Sequence, residues 1–98
     1  MFYEHFNDLT PDQAERLALL LEELGEAQQA IGKILRHGYN SRHPNGGPTN
    51  RESLEREMGD ILVALEMLHE ASDLSRMSVL KRQGEKQESV KPYLHHQI

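Results

Sequence analysis

A chain of 98 residues has room for at most one domain, and its net charge of −5, with the basic residues scattered, argues against the dense positive surface that a nucleic-acid polymer needs. No cysteine means no disulfide framework, no thiolate nucleophile and no Cys-type zinc site; with no Trp, two Phe and three Tyr, the core has to be built from Leu, Ile, Val, Met and Ala, which suits an all-α fold. The start, M-F-Y-E-H-F-N-D, has neither a charged n-region nor an apolar h-region, and no apolar run approaches the ~18 residues of a membrane span, so the expectation is a cytoplasmic protein with no membrane partner.

After a short N-terminal arm, Thr10 reads as an N-cap, Pro11 as the first helical position and Gln13 as its capping-box partner. The first helix is expected over about 11–37. Leu17, Leu20, Leu21, Leu24, Ala27, Ile31 and Leu35 recur at the spacing of a core-facing stripe, and Gly38 follows Arg36 and His37 as a C-terminal cap. Residues 38–50, G-Y-N-S-R-H-P-N-G-G-P-T-N, hold three glycines and two prolines and predict a mobile loop. Thr49 and Glu52 repeat the capping box, and Leu54, Met58, Ile61, Leu65 and Leu68 give a second helix, about 51–70, one apolar face. A cap near Ser72 or Asp73 opens a third helix over about 73–90 with Leu74, Met77, Val79 and Leu80, weakening around Gly84. Pro92 interrupts the tail, 91–98.

Two stretches match: E-L-G-E-A, 23–27, and E-M-G-D-I, 57–61. At ~100° per residue, Glu23, Glu26 and Ala30 share a strip beside the apolar face of the first helix, as do Glu57, Asp60 and Ala64 in the second. Like charges at i and i+3 repel, and partial desolvation next to a buried face raises the cost. Either pair alone is most simply exposed helix surface. Two matching pairs beside apolar faces, with no Lys or Arg on either strip, set a divalent cation beside that reading without displacing it; all-oxygen ligands favour a hard ion such as Mg²⁺, whose usual company is phosphate esters. Gly25 and Gly59 are poor helix formers, and close approach of the two helices would account for them.

L-E-E-L-G-E followed after a loop by E-R-E-M-G-D resembles the E-E-x-x-E…E-x-x-D signature of the MazG-like nucleotide pyrophosphohydrolases. A-I-G-K-I-L-R-H-G and the closing Y-L-H-H-Q are also similar to short, including phage-encoded, members. The resemblance spans about Leu17 to Gln97. It implies an antiparallel all-α helical bundle whose core is completed by oligomerisation, as a homodimer or homotetramer. It implies Glu23, Glu26, Glu57 and Asp60 as metal ligands, Glu22 as an accessory catalytic carboxylate, and Mg²⁺, with Mn²⁺ as a possible substitute. The implied reaction is hydrolysis of a nucleoside triphosphate at the α–β bond to monophosphate and pyrophosphate. Among the cations, Lys33 shares a side with Glu26 and is the first candidate to hold substrate; Arg36, Arg51, Lys81 and Arg82 follow. The gap between the two halves is long for this signature, which bears on substrate choice. Phosphoribosyl-ATP pyrophosphohydrolase and a non-catalytic helical interaction module are the competing functions.

Overall fold

A computed structural model describes residues 6–97; residues 1–5 of the N-terminal arm and Ile98 of the tail lie outside the described residues. Three helices, α1 (Pro11–His37), α2 (Asn50–Glu70) and α3 (Arg76–Ser89), are flanked by 3-10 turns at Phe6–Asp8 and Lys91–Tyr93. Among the described residues there is no strand, only an isolated antiparallel bridge between Arg42 and Thr49, and no helix is long and apolar enough to cross a membrane.

Both long helices begin with a reciprocal cap. Thr10 Oγ1 accepts from the Gln13 N–H at 3.3 Å while Gln13 Oε1 accepts from the Thr10 N–H at 2.9 Å, and Thr49 and Glu52 repeat the pair at 3.2 and 2.9 Å. Each box satisfies two backbone donors that the helix cannot use. Gly38 ends α1 with φ 90°, and its N–H donates to the Ile34 carbonyl at 2.7 Å; a side chain at that φ would be strained. The third helix starts later than the Ser72 or Asp73 cap would place it. Ser72 takes a left-handed turn (φ 62°), the Asp73 carboxylate is held by Arg16, and Ser75 becomes the cap, accepting from the Ser78 N–H at 3.2 Å. Gly84 does not interrupt α3.

The segment 38–50 is tied down rather than left loose. The N–H groups of Asn50 and Arg51 donate to the carbonyls of Ser41 and Tyr39, Asn50 Nδ2 donates to the Gly38 carbonyl, Arg42 Nη1 to that of Gly47, and Arg51 lies over the Tyr39 ring. Gly46 and Gly47, at φ 95° and 101°, supply the turn.

α1 and α2 form an antiparallel pair: this loop joins one end, and at the other Arg16 Nε and Nη2 donate to Asp73 at 2.6 and 3.1 Å. Their seam buries Ala27, Ala30, Ala64 and Leu68, with Leu20, Glu23, Ile34, Leu54, Glu57 and Ile61 half-buried alongside. The expected core stripe of α1 is therefore displaced. Ala27 is buried and Leu20 half-buried, but Leu17, Leu21, Leu24, Ile31 and Leu35 remain exposed, as does Met58 on α2. The apolar arc of α1 is wider than one neighbouring helix can cover, and α2 takes the edge that carries small residues. Among the described residues α3 packs little against the α1–α2 pair; Arg76 Nη2 at its start donates to Glu66 Oε2 of α2 at 2.6 Å.

Candidate metal centre

Small side chains at the seam let the two backbones approach, and the carboxylate pairs sit one turn from them on each helix. Glu23 and Glu26 come from α1, Glu57 and Asp60 from α2, and each offers one oxygen to a group in which all lie within 4.8 Å of one another. The close approach does not come from the glycines. A Cβ at Gly25 or Gly59 would meet nothing within 4 Å, so both face open space, and Ala27, Ala30 and Ala64 do the work expected of them.

The cluster is electrostatically strained as it stands. Glu23 Oε2 and Glu57 Oε2 are closed off from solvent with no hydrogen-bond partner, a condition that only His69 Nε2 shares among the described side chains. Desolvation, followed by repulsion from Glu26, Asp60, Glu57 and Glu22, pushes the Glu23 carboxyl above its usual pKa of 4.5. Desolvation also leads for Glu57, with hydrogen bonding to the Glu26 carboxyl and repulsion from Glu26 and Asp60 adding to it and Arg56 opposing. No member of the cluster is ion-paired among the described residues. Four convergent carboxylates, two with orphaned buried oxygens, fit a hard divalent cation that supplies the missing positive charge and keeps some of its water.

Glu22 stands next to the cluster on the exposed side of α1, near enough for its charge to act on Glu23. Lys33 is not drawn into the cluster: seven residues, about 10 Å of helix, separate it from Glu26. It lines a cleft built by the loop, together with Arg36 and His37. Arg51 is spent on the loop, its Nη1 donating to Asn40 Oδ1 at 2.6 Å, while Lys81 and Arg82 belong to α3, where Arg82 faces Glu85 at 3.8 Å. Arg42, His43 and Ser53 also line the cleft; the sequence singles out neither Arg42 nor Ser53, and His43 stands in no recognisable zinc spacing with His95 and His96. The signal available was two basic residues, Arg42 and His43, inside a stretch otherwise made of turn formers.

No curated protein and no solved structure matches the chain. A family profile, the MazG nucleotide pyrophosphohydrolase domain, matches residues 12–95. With that match covering most of its length, the chain belongs to the MazG nucleotide pyrophosphohydrolase family.

Proposed function

We propose that the chain is a Mg²⁺-dependent nucleoside triphosphate pyrophosphohydrolase that cleaves the α–β linkage to give a nucleoside monophosphate and pyrophosphate. The observation that carries this reading is the convergence of Glu23, Glu26, Glu57 and Asp60 with two buried oxygens unpartnered. These four carboxylates would hold the cation, with Mn²⁺ an acceptable substitute. When bound, the ion neutralises the polyphosphate and makes a water more acidic. The chain's own part is to fix the four oxygens on two packed helices, so that little reorganisation is needed when the substrate arrives.

In the reaction, a water oxygen forms a bond to phosphorus at the α–β linkage, the bridging oxygen leaves with the other fragment, and the water's proton passes to a carboxylate. Glu22 is the candidate acceptor, since it is outside the convergent four yet adjacent to them. Lys33 serves the substrate's phosphates from the neighbouring cleft. The enzyme works as a homodimer or homotetramer; the exposed Leu and Met side chains of α1 and α2 support that assembly.

The test is a panel of canonical, deoxy and modified triphosphates, with phosphoribosyl-ATP beside them, assayed for pyrophosphate release with Mg²⁺. Turnover of one or more simple triphosphates, lost in Asp60→Asn and Glu57→Gln proteins that remain helical, is the expected result. A folded protein inert toward every triphosphate, or turnover indifferent to both substitutions, would sink the reading.

A further inference from the structure

The loop 38–50 folds back over the end of α1 and the start of α2 and closes a cleft of about 510 Å³, a size suited to a small ligand. In a chain with 16 acidic residues, no Asp or Glu lines it. Lys33, Arg36, His37, Arg42 and His43 do. Lys33, Arg36 and His37 make no ion pair or hydrogen bond among the described residues, and Arg42 gives one donor to the Gly47 carbonyl. Glu52, whose carboxylate is held in the Thr49 cap, lies near enough for the Arg42 charge to act on it. Lys33, Arg36 and Arg42, gathered with no ion pair among the described residues, repel one another, and a polyanion relieves that repulsion.

The cleft lies along α2 one turn from the carboxylate cluster, none of whose four members lines it. Ser53 lines the cleft, and Glu57 lies one turn further along the same helix, about 6 Å of rise. The first N–H groups of α2 are already taken: those of Asn50, Arg51 and Ser53 donate to the carbonyls of Ser41, Tyr39 and Thr49, and that of Glu52 to Thr49 Oγ1. Anion recognition therefore falls to side chains. No Phe, Tyr or Trp ring lines the walls to stack a base, and the Asn50 amide N–H₂ is bonded to Gly38, so the cations make phosphate the better match for the cleft.

We propose that this cleft binds the β,γ-diphosphate end of the triphosphate, and hence the pyrophosphate product, with Lys33, Arg36 and Arg42 as its donors. The inference rests on the hydrolase reading for its ligand, and it makes the loop a selector of triphosphates over diphosphates.

Calorimetric titration of inorganic pyrophosphate into the EDTA-treated protein tests the cleft apart from metal and turnover. Binding is expected in the native protein and to weaken about ten-fold or more in Lys33→Gln and in Arg36→Gln. Neither substitution removes a bond that holds the loop. Asp60→Asn should leave this metal-free binding in place. In turnover, Arg36→Gln should lower kcat/KM for a triphosphate far more than for the matching diphosphate. Pyrophosphate binding no stronger than that of sulfate at equal ionic strength, or binding indifferent to both substitutions, overturns the proposal while hydrolysis itself can stand. Metal-free binding that depends on Lys33 and Arg36 in a protein inert toward all triphosphates upholds the cleft and removes the hydrolase reading.

Discussion

Glu23 and Glu57 each keep an oxygen away from both water and hydrogen-bond donors, and that cost has a pH signature. Their folded carboxyls titrate above the ordinary value of 4.5, so over the interval from 4.5 up to the raised values the folded state binds more protons than the unfolded state. Stability of the metal-free protein must then fall as pH rises through that interval. The expected outcome in thermal denaturation with EDTA is a melting temperature that drops from pH 4.5 toward neutrality. Mg²⁺ should restore it at neutral pH and do little at pH 4.5, where protons compete for the same oxygens. Glu57→Gln should flatten the slope and abolish the Mg²⁺ response. These two residues were legible in the sequence because i, i+3 spacing beside an apolar stripe marks a half-buried strip. The glycines were legible only as anomalies. Since a Cβ at Gly25 or Gly59 meets nothing within one chain, Gly25→Ala should raise stability by about 0.5–1 kcal/mol in denaturant titration at dilutions where only the monomer exists.

Helix boundaries written by local chemistry could be read from the sequence, and those set by distant partners could not. The caps at Thr10 and Thr49 need only residues three positions away. Asp73 could have capped α3, but its carboxylate is taken by Arg16, 57 positions earlier, and no local pattern announces that pair. The same limit applies to the seam. Periodicity placed an apolar arc on α1 but not the edge of that arc that α2 would use, and the small residues Ala27, Ala30 and Ala64 decided it. Leu68 is the one large side chain fully buried there, so Leu68→Ala should cost about 2–5 kcal/mol in denaturant unfolding, whereas Leu35→Ala, 82% exposed in one chain, should cost far less at dilutions where only the monomer exists. Arg16 holds Asp73 below its usual 3.8, so that pair stabilises the fold above this value and ceases to do so as pH falls through the depressed one. A double-mutant cycle with Arg16→Ala and Asp73→Ala should show coupling at neutral pH that vanishes in strong acid.

For the whole molecule, the accessible surface of 8301 Å² compares with about 5,700 Å² expected of a compact monomer of 11.3 kDa. The Cα radius of gyration, 17.6 Å, exceeds the roughly 12.6 Å of a compact chain this long. The surplus is roughly 2,600 Å² per chain, or about 5,200 Å² for a pair, at the upper end of the total that obligate subunits bury. Large apolar side chains left exposed include Leu21 and Leu35 on α1, 74% and 82% exposed, Leu62 on α2, 66%, and Met77 on α3, 82%. Apolar surface of that kind is costly in water, and burial against a second copy of the same chain would relieve the cost. Sedimentation velocity at micromolar concentration should therefore show a dimer or tetramer and no appreciable monomer. Leu21→Asp combined with Leu62→Asp places charge on that surface without touching Ala27, Ala64 or the carboxylate group. The double variant should sediment as a monomer and melt at lower temperature, with a melting temperature independent of protein concentration, while the native protein's rises with concentration. An unaltered oligomer in that variant would place the subunit contact elsewhere, with Met77 and Leu80 of α3 the next side chains to substitute.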